Sequence, residues 1–105
     1  MEKKESLFVY GTLADSRLQN ELLGRSVLGV ADKLDGYALD SVVIRETTYP
    51  ALVPNPTANV DGLVLLVTPH ELEILDRYET AAYQRVQVTL KSMNPAWVYI
   101  KAQTA

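Results

Sequence analysis

The sequence predicts an α+β fold built from many short strands and two short helices. Two observations lead to this prediction: apolar runs of strand length recur along the chain, and two segments carry helix caps. The length of 105 residues suits one domain, and the apolar share of 48% is enough for a packed core. We expect a solvated tail at residues 1–5 and a single domain at residues 6–105.

The N-terminal part is predicted to form a buried strand and then a helix. The apolar run at residues 7–10 stops at Gly11, as a strand does when it runs into a turn. Asp15 can cap the following helix, and Gly24 can close it. The apolar side of this helix would be formed by Leu18, Leu22 and Leu23.

The middle of the chain is predicted to contain a hairpin followed by a loop. Residues 27–34 and 37–44 resemble two strands, and Asp35-Gly36 between them is a frequent hairpin turn. The next stretch is interrupted by Pro50, Pro54 and Pro56. Because proline lacks the N–H that a sheet needs, we expect a surface loop around a short extended piece at residues 51–53.

The C-terminal part is predicted to contain a strand, a helix and two more strands. Residues 60–67 form the most apolar run and should be a strand buried on both faces. A helix should begin at Thr68 and run to residue 78 or 79. Pro69 suits its first position, and Glu71 completes a capping box. The last two strands are expected at residues 83–91 and 97–100.

Charge and composition argue against several classes of function. The net charge of -3 disfavours nucleic acid as a partner, because proteins that bind phosphate backbones are usually basic. The absence of cysteine removes disulfides, zinc–thiolate sites and thiol nucleophiles, and is typical of a cytoplasmic protein. No apolar run approaches the ~20 residues that span a membrane, so we expect no membrane association.

The turn Tyr10-Gly11-Thr12-Leu13 is a candidate anion site. It lies between a predicted strand and a predicted helix, where successive backbone N–H groups can surround a carboxylate or phosphate. Gly11 lets a ligand approach the main chain closely. The segment has neither the GxGxxG pattern nor the GKT ending of a nucleotide-binding loop. An ordinary strand-to-helix turn is the alternative interpretation.

Glu79 is a candidate proton carrier. On a helix projection with Leu72 at zero, Leu75 falls at ~300° and Glu79 at ~340°, so the carboxylate points to the core side. Burial would raise its pKa from about 4.3 toward the range of a general acid or base at neutral pH. In the alternative interpretation the helix ends before Glu79, whose carboxylate is then solvated or caps a backbone group.

Three residues outside these segments are further candidates for a pocket wall. The step Tyr49-Pro50 can line a pocket, although such steps more often anchor a loop. Tyr83 can offer its hydroxyl to a ligand, but a tyrosine at a strand start more often packs in the core with its hydroxyl at the rim. Trp97 and Tyr99 share a strand face and are interpreted as core residues.

Four segments together resemble the γ-glutamylcyclotransferase-like (AIG2-like) family. In chain order they are Phe8-Val9-Tyr10-Gly11-Thr12-Leu13, Tyr49-Pro50-Ala51, Val60-Asp61-Gly62, and Leu75-Asp76-Arg77-Tyr78-Glu79 with Tyr83-Gln84-Arg85. The resemblance extends over residues 7–99 and depends on the order of the segments, since each of them is common by itself. It implies a mixed sheet that is closed or nearly closed into a barrel with two short helices.

The resemblance also implies an activity. It implies an enzyme that converts a γ-glutamyl amino acid or γ-glutamyl amine to 5-oxoproline and a free amine. In this reaction the α-amino group of the substrate attacks its own γ-carbonyl, and Glu79 moves the proton. The substrate-binding residues would be Tyr10, Gly11, Thr12, Leu13, Tyr49, Pro50 and Tyr83. This chemistry requires no metal or other cofactor.

A second hypothesis is a protein of the same fold that binds a small acid or a partner without catalysis. Two departures from the family pattern favour it. Ala14 stands where many relatives have a basic residue, and Thr80 follows Glu79 where a glycine is common. Both departures leave the proposed proton carrier in place. The sequence does not identify the leaving group or the oligomeric state, although the short chain favours a small leaving group.

Overall fold

The computed structural model describes residues 3–102, and within them a five-stranded sheet has the order β2-β3-β1-β5-β4. The strands are β1 Glu5–Val9, β2 Val30–Ile44, β3 Thr47–Val67, β4 Tyr83–Thr89 and β5 Pro95–Lys101. The helices are α1 Ser16–Leu23 and α2 Pro69–Glu79. β1 pairs in parallel with β5, whereas the other neighbouring strands are antiparallel. The predicted α+β class and the mixed sheet are confirmed.

The sheet curls into a half-barrel, which brings its edge strands β2 and β4 towards each other. The backbone N–H of Lys91, just after β4, donates a hydrogen bond of 2.8 Å to the carbonyl of Lys33 in β2. Next to it, the Ser92 hydroxyl donates to Oδ2 of Asp32 at 2.6 Å. The nearly closed barrel implied by the family resemblance is therefore present.

Apolar side chains fill both faces of the curled sheet. Because alternate residues of a strand point to opposite faces, Leu7 and Val9 of β1 pack under the helices and Phe8 points into the barrel. The core under the helices also contains Leu13, Leu65, Val67, Leu72, Leu75 and Tyr99. The core inside the barrel also contains Leu34, Leu52, Val60, Leu90, Ala96, Val98 and Ile100. The apolar run of β3 thus contributes to both cores, although Leu66 remains exposed.

Both helices begin and end close to the residues that the sequence predicts. The Asp15 carboxylate accepts a hydrogen bond of 2.8 Å from the N–H of Arg17, and Gly24 closes α1 with a φ of 75°. In α2, Thr68 and Glu71 each accept a hydrogen bond from the backbone N–H of the other, at 3.1 and 2.9 Å. Among residues 3–102, no helix is long and apolar enough to cross a membrane.

The hairpin turn predicted at Asp35-Gly36 is wrong. β2 runs through this point, and Gly36, at φ 87°, lies opposite a bulge formed by residues 55–58 of β3. The turn is instead Arg45-Glu46, where positive φ angles of 48° and 68° match a two-residue type I′ turn. Neither residue type is typical of that turn, which explains why the sequence did not indicate it.

The surface loop predicted around three prolines is also wrong, because these residues belong to β3. β1 pairs with β3 only over residues 63–67. Before residue 63, the strand that pairs with β3 is β2, on one side of it. Pro50 and Pro54 are four residues apart, and their nitrogens therefore point to the same side of the strand. Residues 47–54 pair with β2 in a continuous register, and the nitrogens of both prolines point away from β2. The prolines therefore remove no hydrogen bond from this ladder.

Candidate active site

A pocket opens at the end of β1, where the chain turns towards α1. It is lined by residues 8–13 and by residues from three later parts of the chain. These are Pro50 of β3, Glu79 at the end of α2, and Tyr83 and Tyr99 of the C-terminal strands. The pocket contains about 320 Å³ of empty space, including space open to solvent. We call it the turn pocket.

The turn itself is held rigidly and leaves backbone donors free. Thr12–Ala14 form one turn of 3-10 helix, and the buried Gln19 of α1 donates a hydrogen bond of 2.8 Å to the carbonyl of Leu13. The N–H groups of Gly11, Thr12 and Leu13 have no backbone acceptor within residues 3–102, as expected where a helical turn begins. These donors remain available to a ligand in the pocket.

Gly11 is required by packing as well as by access to the turn. A Cβ added at this position would lie 2.9 Å from Cγ of Pro50, which is closer than side chains normally approach. Pro50 therefore packs directly on the turn. The step Tyr49-Pro50 belongs to a strand rather than to a loop, and Pro50 forms part of the pocket wall.

Two ion pairs fix α2 at both ends. At its start, Arg25 donates two hydrogen bonds of 2.7 and 2.8 Å to Glu71, which lower the pKa of that carboxyl to about 2. Towards its end, Arg85 donates two hydrogen bonds of 2.8 and 3.0 Å to Asp76. The guanidinium of Arg85 also lies 4.4 Å from the ring centre of Trp97. The last residue of α2 is therefore held in place at the pocket.

Glu79 is this last residue, and it is buried, with 9% of its surface exposed. The helix includes Glu79 rather than ending before it, and its side chain points inward as predicted. Burial raises the pKa of the carboxyl to about 7, and no group among residues 3–102 offsets this effect. A carboxyl with this pKa is about half ionised at neutral pH and can both accept and donate a proton.

Two tyrosine hydroxyls near Glu79 are anchored to the backbone. The hydroxyl of Tyr83 donates to the carbonyl of Pro50 at 2.8 Å, and that of Tyr10 donates to the carbonyl of Tyr99. Since a hydroxyl has one hydrogen to donate, both oxygens can only accept from a ligand. Burial, and then neighbouring groups that include Glu79, raise the pKa of both hydroxyls, that of Tyr83 to about 12. Both therefore stay neutral at pH 7.

A second pocket meets the turn pocket at Thr12, Glu79 and Tyr83. The rest of its wall is formed by Ile44, Tyr49, Tyr78 and Thr80, and it contains about 450 Å³ of space, part of it open to solvent. We call it the tyrosine pocket. Within the described residues 3–102, no three carboxylate or imidazole side chains come together as a metal site would require.

Every residue assigned to the site from the sequence lines one of these two pockets. Tyr49 lines the tyrosine pocket, and the others line the turn pocket. Six lining residues were not assigned to the site from the sequence: Phe8, Val9 and Tyr99 in the turn pocket, and Ile44, Tyr78 and Thr80 in the tyrosine pocket. Tyr99 is a core residue, as the sequence predicts, and it also lines the turn pocket. The sequence did not indicate Ile44 as a pocket residue, because the hairpin turn was predicted at another position. For Tyr78, the position directly before Glu79 could have indicated that it lies near the site.

Solved structures share this half-barrel. A solution structure of a protein from Arabidopsis thaliana superimposes with a TM-score of 0.82 at 31% identity, covering 97% of this chain and 71% of the other. A structure named gamma-glutamyl cyclotransferase superimposes with a TM-score of 0.76 at 16% identity, covering 96% of this chain and 68% of the other. The fold is therefore that of the gamma-glutamyl cyclotransferases.

Sequence comparison adds the family. The family model described as gamma-glutamyl cyclotransferase, AIG2-like, matches residues 7–105, and the chain belongs to this family. AIG2-like protein A of Arabidopsis thaliana is 37% identical over 84 residues, which are 79% of this chain and 50% of that protein. AIG2-like protein D of the same plant is 36% identical over 88 residues, 81% of this chain and 57% of that protein. The chain thus spans about half the length of the curated relatives it matches.

Proposed function

We propose that this protein is a cyclotransferase that converts a γ-glutamyl amino acid or γ-glutamyl amine to 5-oxoproline and a free amine. The observation that carries the proposal is the buried Glu79 carboxyl, whose pKa of about 7 suits a group that takes and returns a proton at neutral pH. The family membership and the barrel fold support the same reaction class.

The turn pocket is complementary to the two charged groups of a γ-glutamyl substrate. The free N–H groups of residues 11–13 would bind the α-carboxylate, as backbone donors at the start of a helical turn bind anions. The hydroxyl oxygens of Tyr10 and Tyr83 act as acceptors and would receive the α-ammonium group together with Glu79. Donors on one side and acceptors on the other fix the direction in which the substrate lies.

The proposed reaction proceeds by ring closure within the substrate. Glu79 takes one proton from the α-ammonium group, whose nitrogen then attacks the γ-carbonyl carbon and closes a five-membered ring. Glu79 returns this proton to the departing nitrogen as the bond between that nitrogen and the carbonyl carbon breaks, and the ring nitrogen loses its remaining extra proton to water to give the neutral lactam. Because nucleophile and carbonyl belong to one molecule, a bent pose supplies much of the rate. A backbone donor close to the γ-carbonyl would stabilise the developing oxyanion.

Release of 5-oxoproline by the wild type and by Glu79→Gln tests this proposal. The glutamine keeps the shape of the side chain but cannot carry the proton, so release should stop while substrate still raises the melting temperature. Glu73→Gln is the matched control, because Glu73 is an exposed carboxylate on the same helix, and it should release 5-oxoproline at the wild-type rate. Equal rates for Glu79→Gln and wild type would refute the mechanism.

A second candidate function is binding of a small acid without turnover. It is favoured by one observation: the curated relatives carry the name AIG2-like protein, which states no activity. The same assay separates the two functions. A binding protein would be stabilised thermally by a small carboxylate such as 5-oxoproline and would release nothing from any γ-glutamyl compound.

A further inference from the structure

We infer that the tyrosine pocket receives the leaving group of the substrate and selects an amine whose aromatic or aliphatic body carries no carboxylate. This inference rests on the proposed cyclotransferase function. It extends that function by naming the class of leaving group, which the family and the turn pocket leave open.

The path of the proton indicates that the leaving group lies in the tyrosine pocket. The carboxyl that returns the proton must reach the departing nitrogen, so this nitrogen lies beside Glu79 when the γ-glutamyl part fills the turn pocket. The group attached to the nitrogen then needs space that also borders Glu79. The tyrosine pocket provides it, since the two pockets meet at Thr12, Glu79 and Tyr83.

The wall of the tyrosine pocket is suited to an apolar body. It presents the side chains of Ile44, Tyr49 and Tyr78, and Tyr78 is 40% exposed. A ligand ring or alkyl chain against these residues would remove apolar surface from water on both sides, which is the main source of affinity for such groups. The space of about 450 Å³ admits a body much larger than a methyl group.

The charges at the tyrosine pocket disfavour a carboxylate on the leaving group. The lining contains no lysine or arginine, and its charged member is Glu79. Burial, and then the charge of Glu79, raise the pKa of the Tyr78 hydroxyl. The α-carboxylate of a leaving amino acid would lose water beside Glu79 without gaining a cation. An amine without that carboxylate avoids this cost.

Three substrates test the selection. γ-Glutamyl-phenethylamide and γ-glutamyl-phenylalanine differ in the one carboxylate, and the leaving group of γ-glutamyl-methylamide is too short to fill the tyrosine pocket. We expect kcat/KM for 5-oxoproline release from the phenethylamide to exceed that from each of the others by about tenfold or more, through charge repulsion in one case and lost apolar contact in the other.

Variants of the wall assign the effect to this pocket. Tyr78→Leu and Tyr49→Leu should lower the ratio of kcat/KM for the phenethylamide over the methylamide by about tenfold, since each removes an aromatic contact. Arg77→Gln, at an exposed neighbouring position, should keep the wild-type ratio. Melting temperatures show that each variant is folded, and the use of two tyrosine variants covers the failure of either one to fold.

The possible results separate this inference from the function on which it rests. Release from the methylamide without any gain for the phenethylamide would overturn the inference and leave the cyclotransferase function intact. A preference for the phenylalanine derivative that disappears in Arg45→Gln would overturn it too, and would assign carboxylate binding to the hairpin turn. No release from any of the three compounds would reject both.

Discussion

The hydroxyl of Tyr83 donates a hydrogen bond of 2.8 Å to the carbonyl of Pro50. Tyr83 begins β4 and Pro50 lies in β3, and these strands are separated in the sheet by β1 and β5. The bond therefore crosses the curl of the sheet rather than following its ladder. Both residues line the turn pocket, so this bond fixes the distance between two of its walls.

Tyr83→Phe should weaken both the fold and substrate binding. Loss of this hydrogen bond is expected to lower the free energy of unfolding by about 1 kcal/mol, and loss of the acceptor oxygen should raise KM for a γ-glutamyl substrate. Urea unfolding and steady-state kinetics measure the two effects. Tyr37→Phe is the control, because Tyr37 is a half-buried tyrosine of β2 outside both pockets. Equal effects of the two substitutions would contradict the role of the Pro50 contact.

Glu79 should make the fold less stable as the pH rises from 4.5 to 7. Its pKa is raised from 4.5 to about 7, so in this range the unfolded chain loses the proton that the folded chain keeps. The folded state then binds more protons, and the free energy of unfolding falls with increasing pH. Relative to the wild type, Glu79→Gln should gain up to about 3 kcal/mol of stability between pH 4.5 and 7.5. Urea unfolding at several pH values measures this difference, and a constant difference would show that Glu79 titrates as it does in water.

The same carboxyl should set the acid limb of the activity. Only the ionised form of Glu79 can take a proton from the substrate, so kcat/KM for 5-oxoproline release should rise with pH through a midpoint near 7. The Glu73→Gln variant should keep this midpoint, because Glu73 is exposed and lines neither pocket. A midpoint close to the ordinary glutamate value would mean that burial does not control the catalytic group.

Thr80→Gly should stabilise the protein. Thr80 follows Glu79 with φ 63° and ψ -173°, a region that glycine adopts freely and a β-branched residue does not. Relief of about 1–3 kcal/mol of strain outweighs the roughly 1 kcal/mol that glycine costs in chain entropy, for a net gain of about 1 kcal/mol. Thr89→Gly changes an exposed threonine of β4 and should instead destabilise the strand. If both substitutions lower the denaturation midpoint alike, Thr80 is not strained.

Short-range chemistry made α2 and the position of Glu79 predictable. The cap at Thr68 and Glu71 depends on residues three apart, and the helical period then places Glu79 on the side of Leu72 and Leu75. No tertiary contact is needed for either step. The prediction is confirmed here because the side of the helix that its period makes apolar is the side that the fold buries.

The long hairpin was not predictable from its residues, because pairing between the strands decides its shape. Asp35-Gly36 has the sequence of a turn, yet β2 continues past it and pairs with β3 again after a shift of register, so no turn forms there. Arg45 and Glu46 take positive φ only because the paired strands on either side require a two-residue turn. Ile44 directly precedes this turn, so its position in the wall of the tyrosine pocket also depends on the pairing of the two strands.

The contact between Tyr10 and Tyr99 spans 89 residues of chain. β1 lies at the centre of the sheet, and one of its two neighbours is β5, the last strand within residues 3–102. On the ribosome, β1 therefore has no second neighbour until the residues up to β5 have been synthesised. Closure of so long a loop is slow compared with formation of a local helix. The turn pocket is assembled late, and a nascent chain that stops before β5 has its Glu79 but lacks one wall of the pocket that surrounds it.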